Sequence, residues 1–329
     1  MNRYARQIVL PEVGTHGQAR LAHCTALIVG AGGLGSPVLQ YIAGAGIGRL
    51  IVVDPDTVER ENLHRQTLYG DSQLGQAKVA AAKAILHDLN PHVVVDPIVE
   101  ALEPRNAAAL IARADIVLDC ADSFAATYIL SDNCLAAAKP LISSSVLGLS
   151  GYAGGFCAGA PSVRAVFPDL PRHLASCATA GVLGPAVGTL GAIQAQLALA
   201  VVLELAPSPL GQLVSVDLRR WRFGGFRFDG AAEPEHSFRF VARSDLQASD
   251  FVVELRGESE APEPIRADAL RASVDAFDTA GHLPRDGQRA VLCCRSGLRA
   301  WRAATALRRR WDGPIALLAA GMPSPRAHR

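Results

Sequence analysis

Glycines and an acid near the start of the chain have the types and spacing of a phosphate-binding site. Four closely spaced glycines follow an apolar run in Ala26-Leu-Ile-Val-Gly-Ala-Gly-Gly-Leu-Gly35. Glycines there let the backbone approach a ligand and point its N–H groups at an anion. Asp54 ends the next apolar run about 20 residues on, where such sites place a carboxylate for the ribose. The stretch is therefore interpreted as nucleotide-binding.

Further charged residues stand where they could complete such a site. A polar run from Asp56 to Gln66 follows Asp54, and Lys78 lies in the first turn of the predicted helix Gly75–Leu89. A cation there opposes the helix dipole, which favours a phosphate partner, although a solvated lysine costs little. Asp122 follows another apolar run and shares the strand-end position of Asp54. A single acid there is a helix cap about as often as a functional group. Two acids on one sheet edge favour function.

A second candidate site lies near the end of the chain, at Cys294-Arg-Ser-Gly-Leu-Arg299. The pattern predicts a strand, Ala290–Cys294, then a short loop and a helix rich in alanine and arginine. A helix N-terminus and nearby arginines lower the pKa of a thiol and can cradle an anion. Cys294 is therefore a candidate nucleophile on that loop, whereas Cys293 is expected to be buried in the strand.

Alternating strands and helices must position these residues. The pattern predicts an α/β fold: a Rossmann-like doubly wound sheet with an antiparallel extension, then a small second α/β domain. The expected boundaries are 1–228 for the first domain, 229–240 for the linker and 241–329 for the second domain. In the second domain, Phe251–Leu255 is a predicted strand and Ala267–Ala276 a predicted helix.

The composition excludes several classes of function. With 329 residues, 50% of them hydrophobic, and a net charge of +1, the chain gives no reason to expect a nucleic acid or membrane partner. Cys177–Leu203 carries no charge, but its glycines and Pro185 predict a loop followed by a buried helix, Gly188–Leu205. Seven cysteines without framework spacing and the lack of an apolar leader favour reduced thiols in the cytoplasm.

Six ordered motifs make residues 1–228 resemble the MoeB/ThiF adenylyltransferases, relatives of the ubiquitin-activating enzymes. They are Arg3-Tyr-Ala-Arg-Gln-Ile8, Gly30-Ala-Gly-Gly-Leu-Gly35, Asp54-Pro-Asp-Thr-Val58, Asn62-Leu-His-Arg-Gln-Thr67, Gly75-Gln-Ala-Lys78 and Leu118-Asp-Cys-Ala-Asp122. The tail resembles a rhodanese domain, mainly through Cys294–Arg299.

The resemblance implies a homodimer that uses ATP and Mg²⁺ to adenylate the C-terminal Gly-Gly carboxylate of a small ubiquitin-like sulfur carrier, releasing pyrophosphate. The nucleotide contacts it implies are Gly32, Gly33, Leu34, Asp54, Asp56, Asn62, Arg65, Gln66 and Lys78. Asp122 would hold magnesium, Arg65 and Lys78 would act on the phosphates, and Arg6 would reach across the dimer as an arginine finger. Cationic side chains and a metal ion at these positions would stabilise the negative charge that spreads over the phosphate oxygens in the transition state.

The resemblance also implies roles for two cysteines. Cys177 would form a thioester or acyl disulfide with the carrier, the alternative being a small residue in a loop. Cys294 would hold a persulfide received from a cysteine desulfurase or thiosulfate.

The sequence departs from the family pattern in two places. Many members hold a structural zinc with two Cys-x-x-Cys pairs, but the first pair falls here at Ser162 and Ala165, and no such pair follows Phe228. Because the thiolate ligands are missing, we predict no zinc. The rhodanese-like portion carries Glu254-Leu-Arg256 where Asp-x-Arg is typical, which leaves open a purely structural role for that domain.

Two other functions compete with the adenylyltransferase. The first strand–loop–helix unit alone also fits an NAD-dependent oxidoreductase, although Asn62, Arg65 and Lys78 suit a triphosphate better than a nicotinamide. A regulator that binds nucleotide or carrier without catalysis is the other alternative. The pathway also stays open between molybdopterin, thiamine thiazole, tRNA thiolation and secondary metabolites.

Overall fold

The computed structural model describes residues 2–169, 181–279 and 283–321. The chain divides into two compact units. The first comprises Met1–Leu102, Asn106–Asp122 and Leu130–Glu233, and the second comprises Glu103–Arg105, Ser123–Ile129 and Pro234–Arg329. The last change from one unit to the other therefore falls between Glu233 and Pro234.

The strands of the first unit form one eight-stranded sheet. In chain order they are β1 Thr25–Val29, β2 Arg49–Val53, β3 Val94–Ile98, β4 Ile116–Asp119, β5 Leu141–Leu147, β6 Ser150–Phe156, β7 Gln212–Asp217 and β8 Arg222–Arg227. Their order across the sheet is β3-β2-β1-β4-β5-β6-β7-β8. Strands β1 to β5 pair in parallel, and β6, β7 and β8 extend the sheet antiparallel. The predicted Rossmann-like class with an antiparallel extension is confirmed.

Helices cover both faces of this sheet, which is why β1 after Thr25 and β2 after Arg49 are apolar and buried. The helices described before β9 are α1 Ala5–Ile8, α2 Gly14–His23, α3 Gly35–Ala45, α4 Lys78–Leu89, α5 Pro104–Ala112, α6 Phe124–Ala136, α7 Val163–Val166 and α8 Gly184–Val202. The first residues of α5 and α6 fall in the second unit. Ala26 and Ile28 of β1 join an apolar cluster with residues of α3, α4 and α8. Leu27 and Val29 join a second cluster with residues of α5 and α6.

Helix α8 is longer than the sequence predicts, since it begins at Gly184 instead of Gly188 and ends at Val202. Its glycines serve close packing: a Cβ on Gly191 would lie 2.4 Å from Cγ of Pro37 in α3. By length and composition α8 could cross a membrane, as many core helices of soluble proteins could. Gln194 on this helix is fully buried and donates to carbonyls of the sheet, so packing against the sheet accounts for its apolar surface.

The strands of the second unit form a five-stranded parallel sheet. They are β9 Arg239–Phe240, β10 Phe251–Glu254, β11 Leu270–Arg271, β12 Ala290–Cys294 and β13 Ile315–Ala319, in the order β11-β10-β12-β13-β9. The helices described after β9 are α9 Ala276–Thr279 and α10 Leu298–Arg308. Cys293 and Cys294 therefore both lie at the carboxyl end of the central strand.

Three predictions for this region are wrong. The predicted helix Ala267–Ala276 contains strand β11, because Leu270 pairs with Val253 of β10 and the Arg271 guanidinium donates to backbone carbonyls of the preceding loop. Arg239–Phe240, assigned to the linker, forms β9 by pairing with β13. Cys294 is the last residue of β12 and does not lie on the loop.

Candidate active site

The glycine loop between β1 and α3 folds so tightly that side chains would not fit at two of its positions. Gly30 has a φ of +97°, and a Cβ on it would lie 2.6 Å from the Cys120 carbonyl oxygen. A Cβ on Gly35 would lie 2.1 Å from the Gly30 carbonyl oxygen. At Gly32, by contrast, the nearest atom would be Nε2 of Gln66 at 3.5 Å. At Gly32 the loop therefore leaves room for a group beside the backbone, as close approach of a phosphate requires.

Gly33 and Leu34 of this loop pack inward. A Cβ on Gly33 would lie 2.8 Å from Cγ1 of Val187 in α8, and Leu34 is buried immediately before α3. Both residues thus fix the loop against the helix layer.

Asp54, directly after β2, holds the glycine loop in place. Its Oδ2 accepts the Ala31 N–H at 2.7 Å, and its Oδ1 accepts the Asp56 N–H at 2.8 Å. Burial raises the pKa of Asp54, while the Lys78 charge and these two N–H groups oppose that rise. Each carboxylate oxygen has a second lone pair, so Asp54 can still accept hydrogen bonds from ribose hydroxyls.

Lys78 is a buried cation that faces the same edge. It is the first residue of α4, its side chain is 5% exposed, and its Nζ lies 2.8 Å from Oδ2 of Asp56. The Asp56 side chain is 65% exposed. A buried ammonium needs an anionic partner, and here that partner is reachable from solvent. An incoming phosphate can therefore replace Asp56 as the partner of Lys78.

Asn62, Arg65 and Gln66 form the next group along the chain. Asn62 accepts a hydrogen bond from Arg65 Nη2 at 2.5 Å and donates to Glu59 at 3.1 Å. Gln66 is buried, and its Oε1 has no hydrogen-bond partner within the described chain. A buried acceptor without a partner is costly. Together with the room beside Gly32, the unpartnered Gln66 Oε1 indicates a site shaped for a polar ligand. The predicted nucleotide residues fit ATP.

Asp122 lies exposed just beyond β4, and buried groups fix the strand that leads to it. Gln194 Nε2 donates to the Asp119 carbonyl at 2.7 Å and to the Ile142 carbonyl at 3.0 Å. Ser143 Oγ donates to Asp119 Oδ2 at 2.8 Å. A single carboxylate with open space around it suits Mg²⁺, which takes its other ligands from waters and phosphates. Asp119 and Gln194 were missed as site residues, although Gln194 interrupts an uncharged apolar run.

Arg6 lies on an arm that two anchors hold. The Tyr4 ring covers Gly46, where a Cβ would lie 2.6 Å from it, and the fully buried Asn90 donates to the Tyr4 hydroxyl at 2.8 Å. Gln7 donates to Gln18 at 2.8 Å. Arg6 itself is exposed, and no hydrogen bond or ion pair of its side chain occurs within residues 2–169, 181–279 and 283–321. The described chain thus leaves this guanidinium available to another molecule.

In the second unit, Cys294 lies in a cradle of donors. Its Sγ accepts N–H groups from Gly297 at 3.1 Å and Ala300 at 3.3 Å, where α10 begins. The Arg299 side chain also hydrogen-bonds to it. Cys294 is fully buried, and Arg295 is exposed. These donors can stabilise a thiolate or a persulfide anion.

The neighbouring Cys293 has no such cradle. Burial, followed by the charge of Glu254, raises the pKa of Cys293 to about 12, so this thiol is inert at neutral pH. Glu254 itself is fully buried and forms a two-pronged ion pair with Arg256 at 2.8 and 2.7 Å. Glutamate in place of the typical aspartate therefore still forms a carboxylate–arginine pair at the end of β10.

Comparison with known proteins decides the family. Residues 4–237 match the ThiF family. This chain belongs to the ThiF family. It is 46% identical over 231 residues to the adenylyltransferase and sulfurtransferase MOCS3 of Bos taurus, which is 68% of this chain and 50% of that protein. It is 39% identical over 219 residues to the SAMP-activating enzyme E1 of Haloferax volcanii, which is 66% of this chain and 81% of that protein.

The ThiF chain spans about half the length of MOCS3. Its fold is similar to that of E. coli MccB solved with ATP, with a TM-score of 0.60 at 21% identity, over 72% of this chain and 74% of that chain. The family resemblance drawn from the motifs is thus confirmed. Cys177, a candidate drawn from the same resemblance, lies outside the described residues.

Hydrogen bonds and an ion pair hold the segment around Ser162, where the family resemblance implies the first pair of zinc ligands. The Ser162 N–H and Oγ both donate to Glu233, at 2.7 and 2.5 Å. The buried Arg164 forms a two-pronged ion pair with Asp132 at 2.5 and 2.9 Å. No group of three or more His, Cys, Asp or Glu side chains suited to a metal occurs in the described part of the chain. Ser162 and Ala165 do not offer the thiolates of a structural zinc, whose absence stays a prediction.

Proposed function

We propose that this ThiF-family protein adenylates the C-terminal Gly-Gly carboxylate of a small ubiquitin-like sulfur carrier with ATP and releases pyrophosphate. The observation that carries the proposal is the buried Lys78, which shares one sheet edge with the glycine loop and forms an ion pair with the solvent-accessible Asp56. The sulfur-carrier substrate is supported by the names of two relatives, an adenylyltransferase and sulfurtransferase and a SAMP-activating enzyme.

The reaction would join the carrier to AMP. A carboxylate oxygen of the carrier attacks the α-phosphorus, the bond from that phosphorus to the bridging oxygen breaks, and pyrophosphate leaves with the electron pair. Lys78 and Arg65 neutralise the charge that spreads over the phosphate oxygens, and Asn62 donates to them. Asp54 orients the ribose. Magnesium held by Asp122 would screen the departing pyrophosphate.

The protein substrate would bind along the antiparallel part of the sheet. The register aligns Leu147 of β5 with Ser150, Asp217 and finally Arg222 of β8, at the edge where Asp54 and Asp122 lie. Large apolar side chains are exposed here: Leu147 at 40%, Leu183 at 56%, Trp221 at 77% and Phe223 at 63%. An exposed apolar patch of this kind marks a protein-binding surface. A carrier seated there would direct its tail towards the nucleotide.

Sulfur transfer would follow at Cys294. The thiolate takes sulfur from a desulfurase persulfide or thiosulfate, and the persulfide then attacks the carrier's acyl adenylate, displacing AMP. A second thiol, for which Cys177 is the candidate, attacks the Cys294 sulfur of the resulting acyl disulfide. This releases the thiocarboxylate and leaves a disulfide for a thiol reductant. Domain 1–228 would thus perform the adenylation and domain 241–329 the sulfur transfer. The protein would act in the cytoplasm as a homodimer, in which Arg6 of each subunit reaches the nucleotide of the other.

The test is ATP–pyrophosphate exchange with a Gly-Gly-ending carrier. Exchange should require both magnesium and carrier, and Asp122→Ala should abolish most of it while the fold stays intact. Asp88→Ala, an exposed aspartate on α4, is the matched control and should retain full exchange. Reduction of NAD without pyrophosphate release would instead favour an oxidoreductase, and nucleotide binding without either reaction would favour a regulator.

A further inference from the structure

Glu260 neutralises Arg299, an arginine that hydrogen-bonds to the candidate nucleophile of the second unit. Nη2 of Arg299 lies 2.6 and 2.7 Å from the two carboxylate oxygens of Glu260. Burial alone would lower the pKa of Arg299, but the Glu260 hydrogen bond and the charges of Glu260 and Cys294 keep it above its ordinary value. Arg299 thus joins Cys294 to Glu260, and the net charge of the Arg299–Glu260 pair is zero.

The loop that carries Glu260 is fixed in this position. Glu254 accepts the Ile265 N–H at 2.9 Å, and Arg271 donates to the carbonyls of Arg256 at 2.7 Å and Ala261 at 2.9 Å. Both ends of the segment 256–265 are therefore anchored to the sheet. The Arg299–Glu260 ion pair is consequently built into the fold.

Glu260 also lines a pocket of about 560 Å³ in the second unit. Arg256, which is paired with Glu254, the exposed Arg243 and Ala319 line it too, whereas Cys294 and Arg299 are not among the lining residues. A molecule in this pocket therefore meets the Glu260 carboxylate before it meets the Arg299 guanidinium. An anion there experiences repulsion from Glu260 and gains little from an arginine that is already paired.

We propose that Glu260 determines donor specificity at Cys294 by disfavouring anionic sulfur donors relative to uncharged ones. This inference rests on the proposed sulfurtransferase activity. In the transfer step the Cys294 thiolate attacks the sulfane sulfur of the donor, forming a new S–S bond. The donor's own S–S bond breaks, and its leaving group departs with the electron pair, as sulfite when thiosulfate is the donor. A dianion such as thiosulfate is therefore the donor class that Glu260 opposes most.

The test needs no sulfur chemistry. Purified full-length chain is alkylated with iodoacetate, which is anionic, or iodoacetamide, which is neutral, and peptide mass spectrometry measures the label on Cys294. The ratio of the two rates cancels any change in thiolate fraction, because both reagents need the thiolate. Glu260→Gln removes one negative charge from the pocket lining. It should therefore raise the ratio of the iodoacetate rate to the iodoacetamide rate by about tenfold. Glu258→Gln, an exposed neighbour on the same loop, is the control and should leave the ratio unchanged.

Three results would overturn the proposal. The first is an unchanged ratio in Glu260→Gln, which includes an equal increase with both reagents, the second is a lower ratio in Glu260→Gln, and the third is the same change of ratio in Glu258→Gln. Incubation with thiosulfate tests the underlying activity separately, since persulfide on Cys294 appears as added sulfur mass. Faster loading of Glu260→Gln than of the unchanged chain supports the inference. If no donor loads either chain, the sulfurtransferase function fails, while the alkylation ratio still decides whether Glu260 selects by charge.

Discussion

Trp221 combines two features that can be separated by mutation. It lies in the turn between β7 and β8 with a φ of +52°, and it is 77% exposed. A left-handed conformation costs a residue with a Cβ about 1–2 kcal/mol, which glycine avoids. Glycine in turn loses about 0.5–1 kcal/mol more backbone entropy on folding. The position is thus unfavourable for the folded chain, which points to a function for the indole ring.

Two substitutions that both remove the ring isolate the backbone effect. We expect Trp221→Gly to be more stable than Trp221→Ala by up to about 1 kcal/mol, because only alanine keeps the strain. For a unit of this size that difference corresponds to about 2–4 °C in Tm, measurable by calorimetry of the first unit's transition.

The same two variants should be equally poor at binding the carrier. Loss of a central aromatic contact costs about 2 kcal/mol or more, so the carrier KM in pyrophosphate exchange should rise about thirtyfold in both. The kcat at saturating carrier should not change, since four strand spacings place β8 about 19 Å from β4 and its nucleotide edge. Equal melting temperatures of the two variants would refute the strain argument. An unchanged carrier KM would refute the docking surface.

Four further predictions concern the ion pairs, the dimer and the metal. Asp132→Asn removes the charge that forms a two-pronged ion pair with the buried Arg164 and should lower the free energy of unfolding by about 3–5 kcal/mol in denaturant titrations, whereas Asp88→Asn should not. Burial raises the pKa of Glu254, but the Arg256 hydrogen bonds and the backbone N–H groups outweigh it and hold the pKa below 4.5, so the second unit should lose stability as pH falls below that value. Glu254→Gln should flatten that profile in acid titrations. Mixing inactive Arg6→Ala with inactive Asp122→Ala chains should restore exchange through hybrid sites, and no rescue after verified subunit exchange would contradict a shared site. Elemental analysis should find no stoichiometric zinc, and one zinc per chain would overturn that prediction.

The candidate nucleotide site is recognisable in the sequence because its signals are local. The strand, the glycines, the helix and the acid follow one another within about 30 residues, so each element predicts the place of the next. Asn62, Arg65 and Lys78 come from the same stretch of chain. The contacts that each of these residues makes could not be predicted from the sequence. The unpartnered oxygen of Gln66, for instance, depends on how its loop packs beside Gly32.

The errors arise where distant residues decide the local structure. The alanine-rich stretch 267–276 has helical spacing, but pairing of Leu270 with β10 and the bonds from Arg271 to residues 256 and 261 make it a strand and turns. The glycines of α8 are helix breakers by propensity, yet Gly191 is required where the helix meets Pro37. Gln194 holds carbonyls that precede it by 75 and 52 positions, and no periodicity reveals such a partner.

One carboxylate links the parts of the nucleotide site to each other. Asp54 binds the Ala31 N–H with one oxygen and the Asp56 N–H with the other, so it fixes the glycine loop relative to the start of the polar run. Asp56 in turn holds Lys78 through its side chain, and its carbonyl accepts the Lys78 N–H at 2.9 Å. The position of the buried ammonium is therefore set from Asp54 through Asp56. A phosphate that replaces the exposed Asp56 carboxylate takes over the charge of Lys78 while the backbone bonds remain. The site can thus stay ordered without a nucleotide, because its cation always has a partner.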